Sequence, residues 1–323
     1  MKQFDVAALG NAIVDVIAPT DDAFLLKHNI AKGVMTLIDE FRAQTLYEAL
    51  PETREIAGGS AANTMAGVAS FGGNGLFVGR VKDDRLGESF AASMAKTGID
   101  YSTRMATAGA ATACCLIAVT PDGQRSMNTY LGASRELAPS DIDEEKIARA
   151  KVLYIEGYLW DAPDAKAAIN KAIAATKRAG HKVALTLSDP FCVGRWREEF
   201  LSLWKNDLDI LFANEEEAKA LFEVEDFDAA LQAARQTDGI LALTRSEKGC
   251  VVANGKELHI LDAEPVARVV DTTGAGDQFA AGFLYGLTHG QPLDRCGRLG
   301  GAAAAEVISH YGARPETSLS NFL

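Results

Sequence analysis

The sequence lacks the patterns that hold metal centres or disulfide frameworks. Only five cysteines and five histidines occur in 323 residues, and they form no CxxC pair and no HExxH string. Structural zinc sites need closely spaced cysteine or histidine ligands, and a disulfide framework usually uses an even number of cysteines. These absences argue against zinc and favour free thiols, which are typical of a reducing cytoplasm.

Positive charge and long apolar runs are also scarce. Lysine and arginine number 32 against 44 aspartate and glutamate residues, so the formal charge is −12. Nucleic-acid binding depends on clustered positive charge, so no nucleic-acid partner is expected. The longest apolar stretch, 108–119, is well short of the ~20 residues of a membrane span. Asp5 and Asp15 interrupt the apolar start that a secretory signal needs. We therefore expect a cytoplasmic protein with no membrane partner.

Segments of strand and helix length alternate along most of the chain. Strand-like runs such as VLYIEG, KVALTLS and DILFAN are each followed by a helical apolar pattern. This alternation predicts an α/β fold, with a Rossmann-like, mostly parallel central sheet flanked by helices. Two segments, at about 12–38 and 101–131, have hairpin-like patterns instead, and we predict that they form a small β-sheet lid. Because no linker-like stretch divides the chain, residues 1–323 are predicted to be one domain.

The segment DTTGAGDQFAAGFLYGL, residues 271–287, is the most informative in the sequence. We expect a strand that ends at Val269 and Val270, a tight turn at Gly274, Ala275 and Gly276, and then an amphipathic helix. The N–H groups and the positive dipole end at a helix N-terminus attract phosphate groups. Glycine, which has no Cβ, lets a ligand approach the backbone. The pattern therefore predicts an anion-binding turn.

An aspartate in the first turn of that helix, Asp277, adds a second function. Phosphoryl transfer requires mainly positioning, charge stabilisation and a carboxylate that accepts the proton of the attacking alcohol. One turn can therefore supply both an anion hole and a base for ATP-dependent phosphorylation of a hydroxyl group. The sequence contains no Walker-A string and no protein-kinase motifs, which excludes those two classes of enzyme.

Together with AGGSAANTMAGVASFGG at 57–73, this segment resembles the two signatures of the ribokinase-like (PfkB) carbohydrate kinase family. The strings GNAIVDV, GGSAANT, GQRSMNTYLGAS, LSDPFCVGRW and DILFANEEEA resemble its adenosine kinase-like branch, so the resemblance covers essentially the entire chain. It implies a ribokinase-like fold with a β-lid, ATP and Mg²⁺ as cofactors, and transfer of the γ-phosphate to a primary hydroxyl.

The resemblance also implies roles around the phosphates. Asp277 matches the catalytic base, and the amides of Gly274, Ala275 and Gly276 match the anion hole. Arg125 matches an arginine that reaches over the phosphates, and Thr244, Gly249 and Thr273 match residues on the ATP side. Asn214 and Glu217 match a pair that acts on Mg²⁺ through water. Asp271 and Thr273 match residues of a K⁺ site.

Some of these positions have simpler explanations. For Arg125, an exposed arginine in a turn is nearly as good an explanation as a residue that reaches over the phosphates. The string NEEEA, alone, is better explained as a solvated acidic helix start, which the helix dipole favours anyway. His310 and Glu316 stand where related members vary, which leaves a potassium requirement open.

The resemblance also implies which residues bind the acceptor, the substrate that receives the phosphate. They are Asn11, Asp15, Leu37, Gly58, Gly59, Ser60, Asn63, Leu131 and Phe191. Asp15 would bind the two vicinal hydroxyls of a ribose with both carboxylate oxygens. Phe191 would stack on a nucleobase between the apolar side chains of Leu37 and Leu131. The simpler alternatives are strand-edge polarity for Asn11 and Asp15, and core packing for Phe191.

Two departures from the family weaken the hypothesis of a free-sugar substrate. Ser60 stands where ribokinase carries a lysine, and DPFCVGR lacks the asparagine of the DxNxR string of fructokinases and keto-deoxygluconate kinases. The leading hypothesis is therefore a nucleoside kinase, monomeric or homodimeric, that converts adenosine to AMP in purine salvage. The alternatives are a sugar kinase for ribose, fructose or a keto-deoxy sugar acid, and a catalytically silent nucleotide-binding regulator. A dehydrogenase is rejected, because GGNGLFVG is a poor GxGxxG match.

Overall fold

Two β-sheets organise the protein, whose structure is a computed structural model that describes residues 3–101 and 103–323. The larger sheet has nine strands in the spatial order β14 (Glu257–Leu261), β13 (Cys250–Asn254), β12 (Ile240–Thr244), β11 (Ile210–Asn214), β10 (Lys182–Thr186), β9 (Ala150–Glu156), β1 (Phe4–Leu9), β5 (Gly75–Val78) and β6 (Asp100–Tyr101). Among these described strands, β13 alone runs in the opposite direction to the others, antiparallel to both β12 and β14. The predicted mostly parallel α/β architecture is confirmed.

The smaller sheet has five strands. Their order is β3 (Met35–Leu37), β8 (Arg125–Tyr130), β7 (Ala113–Val119), β2 (Ile13–Pro19) and β4 (Arg54–Gly58). Strands β7 and β8 form an antiparallel hairpin, as the PDG turn predicts. Strand β4 lies outside the segments 12–38 and 101–131 and pairs antiparallel with β2.

Helices cover both faces of the larger sheet. The helices of the described chain are α1 (Asp22–Lys27), α2 (Glu40–Ala49), α3 (Ser60–Ser70), α4 (Arg85–Thr97), α5 (Glu144–Ile147), α6 (Pro163–Arg178), α7 (Pro190–Asn206), α8 (Glu215–Phe222), α9 (Phe227–Ala234), α10 (Ala275–Thr288) and α11 (Leu293–Val307). Of these, α2 packs against β7 and β8 of the smaller sheet. No described helix is long and apolar enough to span a bilayer.

Strand β1 shows why the sequence forms a sheet that is buried on both faces. All six of its residues are buried. Ala7 and Leu9 belong to the core beneath α5–α9, whereas Val6 and Ala8 belong to the core beneath α3, α4, α10 and α11. Side chains alternate between the faces of a strand, so a strand with helices on both sides reads as a continuous apolar run.

The segment before the predicted anion turn differs from the expectation. Val269 and Val270 were expected to end a strand, but residues 262–272 have no regular secondary structure. The Val270 N–H donates to Ile308 O (2.8 Å), at the end of α11, and Val269 is half exposed. The prediction of a strand here is wrong, because this segment leaves the sheet edge after β14 and bonds to a helix terminus instead of a neighbouring strand.

Helices α3 and α10 pack unusually close together. A Cβ built on Gly67 of α3 would lie 2.6 Å from the Ala281 Cβ of α10 and 2.2 Å from Gln278 Oε1. The small residues of α3 predict such an approach, and it is confirmed. The close packing places the N-terminus of α3 beside the N-terminus of α10, and this junction forms the centre of the site.

Candidate active site

The predicted anion turn, Gly274–Gly276, lies immediately before and within the first turn of α10. Gly274 has φ of 81°, a value that favours glycine, and a Cβ there would lie 2.6 Å from Ala313. The Ala275 N–H donates to Thr272 O (3.2 Å) and so closes the turn. A Cβ on the exposed Gly276 would meet no atom within 4 Å. A ligand can therefore approach the backbone at Gly276, whereas the Ala275 amide is already used.

Asp277 is held at both carboxylate oxygens by residues of α3. Ser60 Oγ donates to one oxygen (2.6 Å) and Asn63 Nδ2 donates to the other (3.2 Å). Burial raises the pKa of Asp277 to about 6, although Ser60, Asn63 and the charge of Arg314 act to lower it. A carboxylate with this pKa is ionised at neutral pH and is more basic than an exposed one, as a general base requires.

A glycine at the start of α3 makes this arrangement possible. Gly59 is the N-cap residue of α3, and its φ of 91° lies in the region that favours glycine. A Cβ there would lie 2.2 Å from the backbone oxygen of Asn11. Any other residue would push the loop after β1 away from α3, and would move Ser60 relative to Asp277.

Asp15 enters the site from β2 of the smaller sheet. A Cβ on Gly58, in the neighbouring strand β4, would lie 2.5 Å from its carboxylate group, so Gly58 leaves the space that this carboxylate occupies. Burial, together with the nearby charge of Asp277, raises the pKa of Asp15 to about 6, although Arg314 and Arg125 act to lower it. Two partly buried carboxylates therefore face one site.

Asn11 is held by a buried glutamate that the sequence analysis missed. Glu156, at the end of β9, accepts hydrogen bonds from Asn11 Nδ2 (2.7 Å) and from the Ala61 N–H (3.0 Å). Burial raises the pKa of Glu156 to about 7, against these hydrogen bonds, which lower it. A polar residue at the carboxyl end of a buried parallel strand is a signal that would have identified it.

Arg314, in the loop after α11, is the second residue that was missed. Its Nε donates to Asn63 Oδ1 (3.2 Å), and its Nη1 lies 3.5 Å from Ser93 Oγ. Burial lowers its pKa to about 10, while the charges of Asp15 and Asp277 raise it. No local motif in the sequence marks this arginine, because its partners come from distant elements.

A cavity of about 450 Å³ lies next to these groups, and Asn63, which holds Asp277, is part of its lining. Its lining includes Asp15, Asn63, Arg125, Thr273 and Arg314. The cavity therefore lies between the smaller sheet, the N-termini of α3 and α10, and the loop after α11.

Arg125 bridges the smaller sheet to the segment before the turn. Its guanidinium pairs with Asp271, and both side chains are largely buried. The other donors to Asp271 are the N–H and Oγ of Thr273 (3.0 and 2.6 Å) and the N–H of Gly312 (3.1 Å). A K⁺ ion needs free oxygen ligands, but here both Asp271 oxygens are used by N–H and O–H donors, one of them cationic. As arranged, these residues do not fit a K⁺ ion.

Asn214 and Glu217 form a reciprocal capping box at the start of α8. Asn214 Oδ1 accepts from the Glu217 N–H (2.8 Å), and the Glu217 carboxylate accepts from the Asn214 N–H (3.0 Å) and Nδ2 (2.6 Å). Glu217 is buried, and burial raises its pKa to about 7, so a solvated helix start does not describe it. Each carboxylate oxygen keeps a lone pair that can accept a hydrogen bond from metal-bound water. The pair therefore fits Mg²⁺ held through water.

Thr244 is the last residue of β12, and Gly249 lies at the end of the turn between β12 and β13. Gly249 has φ of 80°, and a Cβ there would lie 1.9 Å from Leu261 O. It thus packs against the start of the segment that lines a second cavity of about 490 Å³, whose lining includes Glu264, Val266 and Arg298. This cavity lies between that segment and α11.

The residues predicted to hold a nucleobase are largely exposed. Phe191, in the first turn of α7, is 81% exposed, and Leu37, at the end of β3, is 60% exposed. Leu131, after β8, is half-buried. Core packing therefore does not account for Phe191. None of the three is among the described residues that line the 450 Å³ cavity.

Comparison with known proteins decides the family. The family model described as pfkB family carbohydrate kinase matches residues 5–319. The chain belongs to this family. The pfkB family assignment makes it a phosphotransferase that acts on an alcohol group of a sugar or nucleoside, and it implies ATP as the phosphate donor.

Similar structures and relatives of the pfkB family extend over nearly the whole chain. A probable sugar kinase from Rhizobium etli CFN 42 is 48% identical, with a TM-score of 0.91 over 99% of this chain and 98% of that one. Adenosine kinase from Sinorhizobium meliloti is also 48% identical, with a TM-score of 0.90 over 99% and 98%. A 5-dehydro-2-deoxygluconokinase from Geobacillus kaustophilus is 29% identical over 86% of this chain and 88% of its own. The ribokinase-like fold and the resemblance to adenosine kinases are confirmed.

Proposed function

We propose that this chain is an adenosine kinase, which transfers the γ-phosphate of ATP to the primary hydroxyl of adenosine and releases AMP. The observation that carries the proposal is a cavity lined by Asp15 and Asn63, where Asn63 also holds the Asp277 carboxylate beside the Gly274–Gly276 turn. Asp277 supplies a base for the hydroxyl, Asp15 a carboxylate for a vicinal diol, and the turn an amide for the transferred phosphate.

In this mechanism Asp277 accepts the proton of the acceptor hydroxyl. Ser60 and Asn63 hold its two oxygens, so the carboxylate keeps one orientation during the reaction. Asp15 binds the ribose hydroxyls from the smaller sheet, and the Gly276 amide in the first turn of α10 stabilises negative charge on the phosphate. Bound with ATP, Mg²⁺ would neutralise phosphate charge, and Asn214 and Glu217 would orient its waters.

We also propose that residues 1–323 form one domain in which the smaller sheet, built from the segments 12–38 and 101–131 together with β4, acts as a lid. Two contacts support this role. Asp15 reaches the cavity from β2, and Arg125 of β8 pairs with Asp271 beside the turn. A lid that excludes water would suppress hydrolysis of ATP.

The preference for a nucleoside rests on the exposed apolar side chains of Phe191 and Leu37. An aromatic ring that is 81% exposed at the carboxyl end of a parallel sheet contributes little to the core and is available to stack on a base. At the position where a ribokinase carries a lysine, this chain has Ser60, which donates a hydrogen bond to Asp277. Both observations favour an acceptor that carries an aromatic base.

Replacing Phe191 with alanine is expected to raise KM for adenosine about tenfold, since stacking of a base on an aromatic side chain contributes ~1–3 kcal/mol. Sugars have no base, so their KM is expected to stay unchanged. Steady-state kinetics with adenosine and with the best sugar acceptor measure both values. Phe41→Ala, which removes an equally exposed phenylalanine on α2, is the control. Equal losses for adenosine and sugar in Phe191→Ala would contradict the nucleoside site.

A second candidate function is phosphorylation of a keto-deoxy sugar acid. Arg54, Arg125 and Arg314 all line the 450 Å³ cavity, and arginine is well suited to bind a carboxylate. Assays of adenosine, ribose, fructose and a keto-deoxy sugar acid with ATP distinguish the candidates. A kcat/KM highest for adenosine supports the proposal, whereas a highest value for the sugar acid establishes the second candidate. If none of the acceptors is phosphorylated, the remaining hypothesis is a catalytically silent nucleotide-binding regulator.

The arrangement around Asp271 predicts that K⁺ does not activate the enzyme. The Arg125 guanidinium already supplies a positive charge to this carboxylate. Rates should be equal in KCl, NaCl and tetramethylammonium chloride at one ionic strength. A rate several-fold higher in KCl alone would show that Arg125 leaves Asp271 and that a cation replaces it.

A further inference from the structure

Arg314 hydrogen-bonds to residues that are far from it in sequence and reaches the centre of the site. Its Nε donates to Asn63 Oδ1 (3.2 Å), and Asn63 Nδ2 in turn donates to Asp277 Oδ2 (3.2 Å). Its Nη groups lie against Ser93 Oγ (3.5 Å) and Met94 Sδ (3.9 Å) of α4. The guanidinium is therefore held by α3 and α4, one residue removed from Asp277.

The side-chain amide of Asn63 can serve both neighbours in one orientation only. A guanidinium only donates hydrogen bonds and an ionised carboxylate only accepts them. The amide oxygen must therefore face Arg314, and the amide nitrogen must face Asp277. Without the Arg314 donor, the amide could turn and place its oxygen against the carboxylate, which is repulsive.

The charges around Asp277 are mostly negative. The carboxyl groups of Asp15 on β2 and Glu156 on β9 act on it, while the Tyr154 hydroxyl of β9, whose pKa burial raises, stays neutral. Arg314, from the loop after α11, is the cation that acts on Asp277 in the described part of the chain, and it also acts on Asp15 together with Arg125 of β8. An opposite charge at short range favours the ionised form of a carboxylate.

We propose that Arg314 is a positioning residue for phosphoryl transfer: it fixes the orientation of the Asn63 amide and keeps the Asp277 carboxylate ionised beside Asp15. This inference rests on the proposed role of Asp277 as the base. It gives the loop after α11 a part in catalysis, although that loop contains neither the base nor the anion turn.

The pH dependence of kcat tests this role. In Arg314→Met the acid limb of kcat should move to higher pH by about one pH unit or more. The reason is that a neighbouring cation lowers the pKa of a carboxyl group by about that amount, and the variant removes the cation. Arg314→Lys restores the charge and should return the limb towards the wild-type position. Arg314→Gln, a polar neutral side chain, is a second test in case the methionine variant does not fold. Arg104→Met, which changes an exposed arginine outside the cavity lining, is the control.

A purely structural arginine would lower kcat equally at all pH values, so an unmoved acid limb in both neutral variants would overturn the proposal. The ¹³C carboxyl shift of Asp277, assigned with Asp277→Asn, follows the same titration without any acceptor. A wild-type chain that phosphorylates none of the acceptors would refute the proposed function. In that case the carboxyl titration still decides whether Arg314 lowers the pKa of Asp277. A titration midpoint that rises in Arg314→Gln supports this effect, and an identical midpoint refutes it.

Discussion

Replacing Asp277 with asparagine is expected to lower kcat by at least ~10²-fold, the smaller end of the contribution of a positioned general base. The amide has nearly the same shape, so the packing between α3 and α10 should persist. It has no negative charge with which to draw the proton from the acceptor hydroxyl. Steady-state kinetics with ATP and adenosine, together with ATP binding by calorimetry, measure the loss and show whether ATP still binds.

Asp164→Asn is the matched control for this variant. Asp164 also lies in the first turn of a helix, α6, but it is exposed on another part of the surface. For the wild type, the pKa of Asp277 of about 6 predicts that kcat falls as the pH is lowered through 6, because the protonated carboxyl cannot accept a proton. A near-wild-type kcat in Asp277→Asn would remove this residue from the mechanism.

Replacing Asp15 with alanine is expected to raise KM for adenosine by about 10²-fold while KM for ATP stays constant. A hydrogen bond to a charged group contributes ~1.5–3 kcal/mol, and a diol would make two such bonds to this carboxylate. The variant also removes a buried negative charge beside Asp277, which leaves the base in a less repulsive environment. Acceptor kinetics at saturating ATP separate the change in KM from any change in kcat.

Glu52→Gln, an exposed carboxylate just before β4, is the control for Asp15→Ala. A comparison of adenosine with 2′,3′-dideoxyadenosine sharpens the test, because the analogue lacks the diol. The wild type should bind the analogue as poorly as Asp15→Ala binds adenosine. An unchanged KM for adenosine in Asp15→Ala would refute the diol role.

The anion turn and its helix could be predicted from the sequence because they depend on contiguous residues. Gly274, Gly276 and Asp277 mark a helix start, and the apolar residues that follow at helical spacing mark its buried face. Likewise, the small residues of α3 predict close packing wherever that helix lies. The alternation of strands and helices predicts the parallel sheet, and a parallel sheet places the strand ends at one edge.

Other features could not be predicted from the order of residues. The segment at Val269 and Val270 has β-branched residues typical of a strand, but a strand forms only where a neighbouring strand is free to pair. Arg125 was predicted to reach over phosphates, yet in the structure it pairs with Asp271, which lies 146 positions away in sequence. Whether it moves to a phosphate depends on the ligand and the lid, which local sequence does not encode.

The family, the parallel α/β fold and the place of Asp277 in the first turn of α10 could be predicted from the order of residues alone, because they follow from local periodicity and from contiguous motifs. Which groups surround Asp277 depends on the folded chain. Glu156 and Arg314 belong to the site because β9 and the loop after α11 end beside α3. Electrostatic interactions depend on distance in space, and residues that are far apart in the chain set the charge balance around Asp277.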